Sequence, residues 1–428
     1  MKIIHITAAY KPAYIYGGPT MSVAKLCEAL VVEVEVEVEA DNDKQGLEVL
    51  TTTANGTAEL NVVSGECQII DGVKVTYFKR LTKDHTHFSP ALLWNLRKQI
   101  LRHFDKISAG VLQYDKEERN NPISFGKVWG QANLIIHIHA WWNLVSVLSC
   151  FIAKWYRIPV VLSPRGMLTS YTANNRNSIA KRIIQYIIGK RLLKYCHIHA
   201  TSEKEKEDIL RFIKPKSITV ISNLVNLPQQ FLNQNMLQPN QLTTQPNPFK
   251  LIFLSRIEEK KGLALLFEGL AELPFEWTLT IAGSGEENYI LRLKSKAESL
   301  KIHKRISWVG QVTNEAKFNL LAKHDLMVLT SHNENFANVV VESLSVGTPV
   351  LISDQVGLAD YVVEKDFGWI TALNIKSINE KLNQSYSDDN KRQHIRTTAF
   401  QLINEDFNDK NLVEKYINLY EGLKINGD

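Results

Sequence analysis

The chain has 428 residues and a net charge of +5, with 44% hydrophobic and 22% charged residues, which is typical of a soluble protein of two domains. This weakly basic balance excludes a dedicated nucleic-acid binder, so no nucleic-acid partner is expected. Four scattered cysteines show neither metal-site nor disulfide spacing, which indicates reduced thiols in a cytoplasmic protein.

The first strand pattern, residues 2–7, leads into Gly17 and Gly18 and then into a helical pattern over 20–30. A strand, a glycine turn and a helix are the opening of a Rossmann-like unit. Paired glycines let backbone amides approach a diphosphate closely, although a plain turn is the commoner reason for such a pair. Further strand patterns, separated mostly by helical ones, follow at 48–52, 73–77, 134–139, 160–163, 197–201 and 218–222. Residues 1–227 are therefore predicted to form an α/β domain with a parallel sheet.

Residues 31–39 read VVEVEVEVE and alternate strictly between valine and glutamate. This alternation predicts a strand with valines on one face and glutamates on the other. The alternative is a low-complexity expansion between the first helix and the next strand. Neither interpretation assigns the segment a function.

Residues 228–248 are rich in Gln, Asn, Thr and Pro and predict a linker. A second alternating series over 249–404 predicts a second Rossmann-like domain. A helical pattern at about 405–428 is expected to pack back on the first domain. The predicted fold class is α/β, with two Rossmann-like domains facing each other across a cleft.

In the second domain, Arg256 and Lys261 follow the first strand pattern. Ligands of such sheets lie at the carboxyl ends of strands, and two cations there can hold a diphosphate. A solvated basic turn is the alternative. Gly283 follows the next strand, where it could let the backbone pass close to a bound base or ribose. The surrounding AGSGEE lacks the third glycine of a dinucleotide fingerprint, which argues against NAD.

Glu334 follows a buried strand pattern, and Glu342 lies eight residues later in a helical one. Two helical turns would bring the second carboxylate to a face that looks towards the first. The backbone amides of Phe336, Ala337 and Asn338 would lie at the helix start and favour an anion. The pattern predicts a nucleotide-sugar site, whereas two solvated glutamates are the simpler alternative.

His137 and His139 alternate along a first-domain strand and share one face, with His139 nearer its carboxyl end. Packed histidines are common, and zinc would need more ligands than the sequence shows nearby. His139 is therefore a candidate substrate contact, and no metal is expected. Arg165 also follows a strand, where it could meet an anionic group.

Residues 176–194 carry six basic residues, no acidic ones and several isoleucines and leucines. A basic amphipathic helix of this kind can rest on an anionic membrane. A core-facing helix with a basic solvent face fits the pattern equally well.

These motifs together resemble the retaining, GT-B-fold glycosyltransferases of family 4. The resemblance covers most of the chain and is carried by Gly17-Gly18, the HxH at His137 and His139, SPRGM at 163–167, ATSE at 200–203, SRxxxxKG at 255–262, AGSGEE at 282–287 and the two glutamates Glu334 and Glu342. The sequence departs from the family at 223–226, where NLVN replaces the frequent Asn-Gly-Val-Asp.

The resemblance implies that Gly18 lies beside the donor pyrophosphate and His139 beside the donor sugar. It implies that Arg256 and Lys261 bind the phosphates and stabilise the departing nucleoside diphosphate. The family generally uses no metal, so no cofactor is expected beyond the sugar donor.

For the remaining residues, the resemblance implies that Glu334 contacts the donor sugar and that Glu342 holds the ribose. Phe336, Ala337 and Asn338 would supply backbone contacts nearby.

The expected enzyme is a retaining glycosyltransferase that uses a UDP- or GDP-sugar and a glycan or lipid-linked acceptor in cell-surface polysaccharide synthesis. Its expected location is the cytoplasm, with peripheral contact to the inner membrane face. The alternatives are a nucleotide-sugar epimerase or hydrolase of the same fold, and a catalytically silent subunit that binds sugar nucleotides.

Overall fold

The chain divides into two compact units in the computed structural model. One unit is Met1–Leu224 together with the C-terminal segment from Asp409, and the other is Val225–Asn408. Each is an α/β unit built on a parallel sheet, as the alternating patterns predict. The predicted linker falls almost wholly outside the described residues, which are 1–38, 46–84, 86–114, 133–169, 189–228 and 248–425.

The strands of the first unit form one large sheet and a small hairpin. They are β1 (Lys2–Ile6), β2 (Leu47–Thr52), β3 (Ala54–Asn55), β4 (Ala58–Glu59), β5 (Cys67–Ile70), β6 (Val73–Phe78), β7 (Leu134–His139), β8 (Val160–Ser163), β9 (His197–Ala200) and β10 (Ser217–Val220). The hairpin pairs β3 with β4, and the large sheet has the order β10-β9-β8-β7-β1-β2-β6-β5. Its strands run parallel except for β5, which pairs antiparallel with β6.

The helices described in this unit are α1 (Gly18–Val38), α2 (Pro90–Tyr114), α3 (Leu144–Trp155), α4 (Lys190–Leu193) and α5 (Glu203–Phe212). Apolar side chains of α2, α3, α4 and α5 form a core with Ile4, Ile136 and Ile138 on one face of the sheet. Side chains of α1 and of the C-terminal helix form a second core with Ile3 and Ile135 on the other face. Helices on both faces are the usual cover of a parallel sheet.

The strand prediction for residues 31–39 is wrong, because α1 continues through the Val–Glu repeat to Val38. The earlier part of α1 is fixed by its buried apolar face, which includes Val23, Leu26 and Leu30. Once a helix is nucleated, each added residue gains one backbone hydrogen bond. Glutamate is a good helix former and valine only a moderately poor one, so elongation outweighs the alternating pattern.

The second unit contains the strands β11 (Phe249–Leu254), β12 (Trp277–Ala282), β13 (Ile306–Gly310), β14 (Leu326–Leu329), β15 (Val350–Ser353) and β16 (Gly368–Thr371). Its helices are α6 (Leu263–Ala271), α7 (Glu287–Ser299), α8 (Asn314–Ala322), α9 (Asn338–Leu344), α10 (Ala359–Glu364), α11 (Ile375–Ser387) and α12 (Asp389–Asp406). The sheet is parallel and has the order β13-β12-β11-β14-β15-β16. The last helix of the chain, α13 (Asp409–Ile425), belongs to the first unit.

Each sheet has a point where the order of its strands reverses. In the second unit this point lies between β11 and β14, and in the first between β1 and β7. Successive connections leave such a point in opposite directions, which opens a crevice at the carboxyl ends of the two strands. The predicted site residues follow these four strands, apart from Arg165, Gly283 and Glu342.

None of the described helices combines the length and the apolar character that crossing a membrane requires. The basic segment 176–194 falls mostly outside the described residues. Only its end is described, in α4 and the residues beside it.

Candidate functional site

Three residues other than glycine adopt left-handed backbone conformations near the carboxyl ends of β7, β8 and β14. They are Ala140 after β7 (φ 68°), Arg165 after β8 (φ 53°) and Ala337 after the loop that follows β14 (φ 71°). Each such conformation costs about 1–3 kcal/mol and persists only where the surrounding structure enforces it. Strain of this kind concentrates at functional sites, which makes these edges of the two sheets the candidate site.

The turn after β11 is packed tightly against the loop after β14. Gly262 has a φ of 71°, and a Cβ at this position would lie 2.0 Å from the carbonyl oxygen of Thr330. The hydroxyl of Thr330 donates to the carbonyl of Gly262 (3.1 Å), and the amide of His332 donates to the carbonyl of Lys260 (2.8 Å). Only glycine allows this approach, which fixes Lys261 beside the β14 loop.

Lys261 and Glu334 meet at the point where the strand order reverses. The Lys261 ammonium donates to the Glu334 carboxylate, and the two side chains are only 8% and 13% exposed. Burial lowers the pKa of Lys261, while the charge of Glu334 opposes this shift. An ammonium has three N–H donors, so Lys261 can hold Glu334 and still donate to phosphate oxygens.

Arg256 lies on the same turn and is 41% exposed. Its guanidinium forms an ion pair with Glu258 at 2.6 Å. It is also close enough to Lys261 to lower the pKa of that lysine. Both predicted phosphate ligands therefore have a carboxylate partner in this structure. An anion that approached Arg256 would have to compete with Glu258 for the guanidinium.

The two glutamates do not share a helix, which corrects the prediction that two helical turns separate them. Helix α9 begins at Asn338, so Glu334 precedes it. The backbone of Glu334 is held instead by hydrogen bonds with Gln355 (3.1 Å) and Gly357 (2.8 Å), at the end of β15. Glu342 is inside α9 and forms an ion pair at 2.7 Å with Lys317 of α8.

Phe336, Ala337 and Asn338 lead into α9. The side chain of Phe336 is buried and contacts the ring of Phe407 edge-on, with 6.0 Å between centroids. Because this ring belongs to the core, Phe336 can offer a ligand only its backbone. The left-handed Ala337 then turns the chain into the first turn of the helix.

The predicted glycines differ in their surroundings. At Gly283 (φ 148°) a Cβ would lie 1.8 Å from the carbonyl oxygen of Ser255, so close packing of two turns already requires glycine there. Gly17 has a φ of 65°, and α1 begins at Gly18, whose Cβ position meets no atom within 4 Å. Gly18 therefore has the open space that a ligand needs, whereas Gly283 does not.

Replacing Gly283 by alanine is expected to destabilise the second unit by about 3 kcal/mol or more, because the new Cβ would overlap a backbone carbonyl that cannot move freely. Gly310→Ala is the matched control, since Gly310 also has a positive φ (72°) but open space around it. Its expected cost is about 1 kcal/mol, from backbone strain alone. Urea unfolding measures both variants, and equal losses would contradict the steric explanation.

His139 is buried, and both of its ring nitrogens have partners in the first unit. Arg165 Nε donates to His139 Nδ1 (3.4 Å), and His139 Nε2 lies 2.9 Å from His5 Nδ1. Burial, together with His137 and Arg165, holds the pKa of His139 well below its usual range. Because Nδ1 accepts a hydrogen bond from Arg165, the neutral ring carries its proton on Nε2 and donates it to His5. Contact of this ring with a donor sugar stays a prediction and requires one of these bonds to open.

A second chain of buried hydrogen bonds crosses the same sheet. His199 Nε2 lies 2.8 Å from the carbonyl of Ile221, which can only accept, so His199 Nδ1 must accept from Ser163 (2.6 Å). Ser163 in turn accepts from His137 Nε2 (2.7 Å), and His137 Nδ1 accepts from the Tyr420 hydroxyl (2.7 Å). The direction of every bond is thus fixed, from α13 through β7 and β8 to β9.

His5, His137 and His139 are near enough together, within 4.8 Å, to hold a metal ion by distance alone. Both nitrogens of His137 and His139 already have partners, however, and Arg165 adds positive charge. Among the described residues no carboxylate joins this group. These contacts disfavour a cation bound to the three histidines.

Replacing Tyr420 by phenylalanine is expected to destabilise the first unit by about 1–3 kcal/mol, because His137 Nδ1 would lose its donor in a buried site. Tyr416→Phe is the control. The Tyr416 hydroxyl lies 3.1 Å from His199 Nε2, which already bonds the Ile221 carbonyl, so its loss should cost less. Urea unfolding compares the two variants, and a larger loss for Tyr416→Phe would contradict the assigned bond directions.

Arg165 also donates from its terminal nitrogen to the side-chain oxygen of Asn223 (3.1 Å). Among the ion pairs of the described residues, none involves Arg165. Burial lowers the pKa of Arg165, and the nearby carboxylate of Glu205 opposes this shift. The guanidinium lies beside His139 at the carboxyl ends of β7 and β8. This is a suitable position for an anionic group of a substrate.

Sequence reasoning missed several residues of these networks. The tetrapeptide HIHA occurs twice, at 137–140 and at 197–200, and this repeat could have indicated His199. Tyr416 and Tyr420 are four apart and lie on one helix face, which could have indicated a shared contact. No sequence signal marks Lys317 as the partner of Glu342.

Two family models match this chain in adjacent regions. The model for glycosyltransferase family 4 matches residues 125–229, and the model for glycosyl transferases group 1 matches residues 236–402. An uncharacterised glycosyltransferase of Methanocaldococcus jannaschii is 24% identical, with 98% of each chain covered. Glycogen synthase of Mycobacterium tuberculosis is 22% identical, with 86% of this chain and 81% of that protein covered.

Solved structures of glycosyltransferases share the fold. The sucrose-phosphate synthase of Thermosynechococcus elongatus superposes with a TM-score of 0.67 at 15% identity and covers 99% of both chains. Anabaena HepE in complex with UDP and glucose gives the same TM-score at 16% identity, with 99% of this chain and 100% of that chain covered. These neighbours have the GT-B fold, so the predicted fold class is confirmed. The chain belongs to the family 4, group 1 glycosyltransferases and is a sugar-transferring enzyme.

Proposed function

We propose that this enzyme is a retaining transferase that moves a sugar from a UDP- or GDP-sugar to a hydroxyl of a glycan or lipid-linked acceptor. The observation that carries the proposal is the Lys261–Glu334 pair, which lies buried where the strand order of the second sheet reverses. One partner suits a phosphate and the other suits sugar hydroxyls, so a sugar diphosphate can satisfy both. Cell-surface polysaccharide synthesis is the proposed setting.

The cations of the second unit act on the leaving group. As the bond between sugar and phosphate breaks, negative charge grows on the nucleoside diphosphate. Lys261 and Arg256 would stabilise that charge where water is scarce, which lowers the barrier. They supply the charge that a metal ion supplies elsewhere, so we propose that no metal or other cofactor is needed.

The carboxylates orient the donor. Glu334 would accept from sugar hydroxyls while it remains bonded to Lys261, with the backbone of Phe336, Ala337 and Asn338 nearby. Glu342 would accept from the ribose hydroxyls, and its bond to Lys317 would hold the carboxylate in place. Each carboxylate has acceptor positions to spare for these contacts.

The first unit would contribute Gly17 and Gly18, whose backbone can approach the pyrophosphate closely, and Arg165, which can bind an anionic group. His139 would lie beside the donor sugar. Contact of its ring with the sugar would require one of its two hydrogen bonds, with His5 or with Arg165, to open.

The names of related proteins support a nucleotide-sugar donor and a glycan or lipid-linked acceptor. HepE was solved with UDP and glucose, and another neighbour of this fold was solved with UDP-2-fluoro glucose. A lipopolysaccharide 1,6-galactosyltransferase of Salmonella typhimurium is 29% identical over 37% of this chain. A diphospho-undecaprenol-linked sugar is named in the acceptor of a Campylobacter jejuni relative, 25% identical over 54% of this chain. The proposed location is the cytoplasm, with the basic segment 176–194 in peripheral contact with the inner membrane face.

A donor screen tests the proposal. UDP-, GDP- and ADP-sugars are compared by thermal shift, because a ligand that binds only the native state raises the melting temperature. The stabilising donor is then incubated with and without glycan or lipid-linked acceptors in the presence of EDTA. A product that retains the anomeric configuration and forms only with acceptor is expected. Donor conversion without acceptor would indicate an epimerase or hydrolase, and binding without turnover would indicate a silent subunit.

A further inference from the structure

Large aromatic side chains are exposed on two neighbouring helices of the first unit. Trp94 on α2 is 66% exposed, and Phe151 and Trp155 on α3 are 46% and 72% exposed. The rings of Phe151 and Trp155 are 6.2 Å apart. Tryptophan is usually well buried in soluble proteins, so a group of exposed aromatic rings indicates a contact surface.

Contacts between the helices join these rings into one surface. The Arg97 guanidinium lies over the ring of Trp94, 5.5 Å from its centroid, and Arg97 Nε donates to the hydroxyl of Tyr156 (2.9 Å), the neighbour of Trp155. The Lys154 ammonium donates to the carbonyl of Arg191 in α4 (3.1 Å). We call this surface, formed by α2, α3 and α4, the aromatic–basic face.

The charge of the aromatic–basic face is strongly one-sided. Across residues 90–105, 144–157 and 189–195 the one acidic residue is Asp105, against eight basic residues. Among the ion pairs of the described residues, none involves these eight. They are Arg97, Lys98, Arg102, Lys154, Arg157, Lys190, Arg191 and Lys194.

We infer that the aromatic–basic face binds the surface of an anionic lipid bilayer. Tryptophan prefers the boundary between headgroups and acyl chains, where its ring is apolar and its N–H is hydrated. Lysine and arginine beside it keep their charges among anionic headgroups while their stems cover apolar surface. Uncompensated positive charge together with exposed tryptophan selects this occupant over a neutral protein surface.

This inference rests on the membrane location proposed above but names a different surface. The proposed segment 176–194 contributes only α4 and its flanking residues, whereas the aromatic rings belong to α2 and α3. These helices cover the opposite face of the sheet from α1 and α13. The binding requires neither donor nor acceptor, so it can be measured without the transfer reaction.

The test is sedimentation of the full-length chain with vesicles, without nucleotides. One set of vesicles is phosphatidylcholine alone, and the other is phosphatidylcholine mixed with phosphatidylglycerol. Partition into the anionic vesicles is expected to exceed that into neutral ones by at least about tenfold and to fall as salt is raised.

Two double variants divide the surface into its components. Trp94→Ser with Trp155→Ser should lower partition at least about tenfold through lost apolar contact, and Arg157→Glu with Arg191→Glu should do so through charge. The matched control is Leu291→Ser with Val363→Ser, which removes exposed apolar side chains (53% and 64%) from the second unit and should leave partition unchanged. Unchanged melting temperatures show that each variant is folded.

The inference is overturned if the surface variants partition like the parent chain, or if neutral vesicles bind equally well. Binding of a single-stranded oligonucleotide in place of vesicles would also overturn it. Nucleotide release with a water-soluble acceptor should stay at the parent rate in the tryptophan variant. A chain that binds vesicles but transfers no sugar would contradict the proposed transferase chemistry and leave the membrane surface standing.

Discussion

Lys261→Ala and Arg256→Ala are each expected to lower kcat by about 10²–10³-fold, the usual loss when one group that stabilises transition-state charge is removed. The KM for the donor should change less, because the charge on the leaving diphosphate grows as the bond breaks. Steady-state kinetics with the identified donor measures both constants. Arg256→Lys should have a kcat between those of the parent enzyme and Arg256→Ala, because lysine keeps the charge but lacks the planar guanidinium.

Lys260→Ala is the matched control for this experiment. Lys260 lies on the same turn and is 3.7 Å from the carboxylate of Glu258, but no contact with the donor is assigned to it. Its rate should remain near that of the parent enzyme. If Lys261→Ala and Arg256→Ala kept the full rate with a confirmed donor, the phosphate role of both residues would be wrong.

Lys261→Ala also leaves Glu334 buried without its partner, which is expected to destabilise the second unit. The double variant Lys261→Met with Glu334→Gln removes both charges and separates the two effects. It should recover stability without recovering the rate. Recovery of the rate would show that Lys261 acts only on the fold.

The first unit is expected to lose stability steeply as the pH falls below about 6.5, the usual pKa of histidine. Its buried histidines stay neutral in the native state. Burial lowers the pKa of His5 and of His199 to about 3 and that of His197 to about 4. Burial and neighbouring positive charge also hold the pKa values of His137 and His139 well below the usual range.

The direction of the change in stability with pH depends on which state of the chain binds the protons. Above about pH 6.5 these histidines are neutral in both states, and their contribution to stability is fully present. At lower pH the unfolded chain takes up protons that the native chain does not, so the free energy of unfolding decreases. The loss approaches about 1.4 kcal/mol per pH unit for each histidine and continues down to the folded pKa values near 3–4.

Urea unfolding at several pH values measures this effect. The first unit should lose more stability than the second. Burial lowers the pKa of the five histidines named above in the first unit and that of His324 in the second. His197→Gln should weaken the dependence of the free energy of unfolding on pH by the amount that corresponds to about one proton, because it removes one such histidine. Glutamine can still form a hydrogen bond with Ser217. Equal slopes for the two units, or an unchanged slope in the variant, would contradict the explanation.

Much of the architecture could be predicted from local patterns. The apolar runs at 134–139 and 326–329 are buried strands, because such runs between turns have no other way to bury both faces. The Val–Glu repeat shows the limit of this reasoning. Its alternation fits a strand, but the preceding turns of α1 determine its conformation, and a periodicity count does not contain that information.

For the site, the sequence by itself determined which residues follow the strands. Arg256, Lys261, Glu334 and His139 all lie where a parallel sheet exposes its carboxyl ends, because strand length and turn composition are local properties. The family motifs added their expected roles.

Only the tertiary structure decided which of these residues meet. The strand order places the end of β11 beside that of β14, so Lys261 contacts Glu334 across 73 positions of sequence. In the same way, α13 brings Tyr420 to His137, 283 positions away. Such pairings depend on strand order and on the return of the last helix, and these are set by the packing of whole elements rather than by the spacing of residues along the chain.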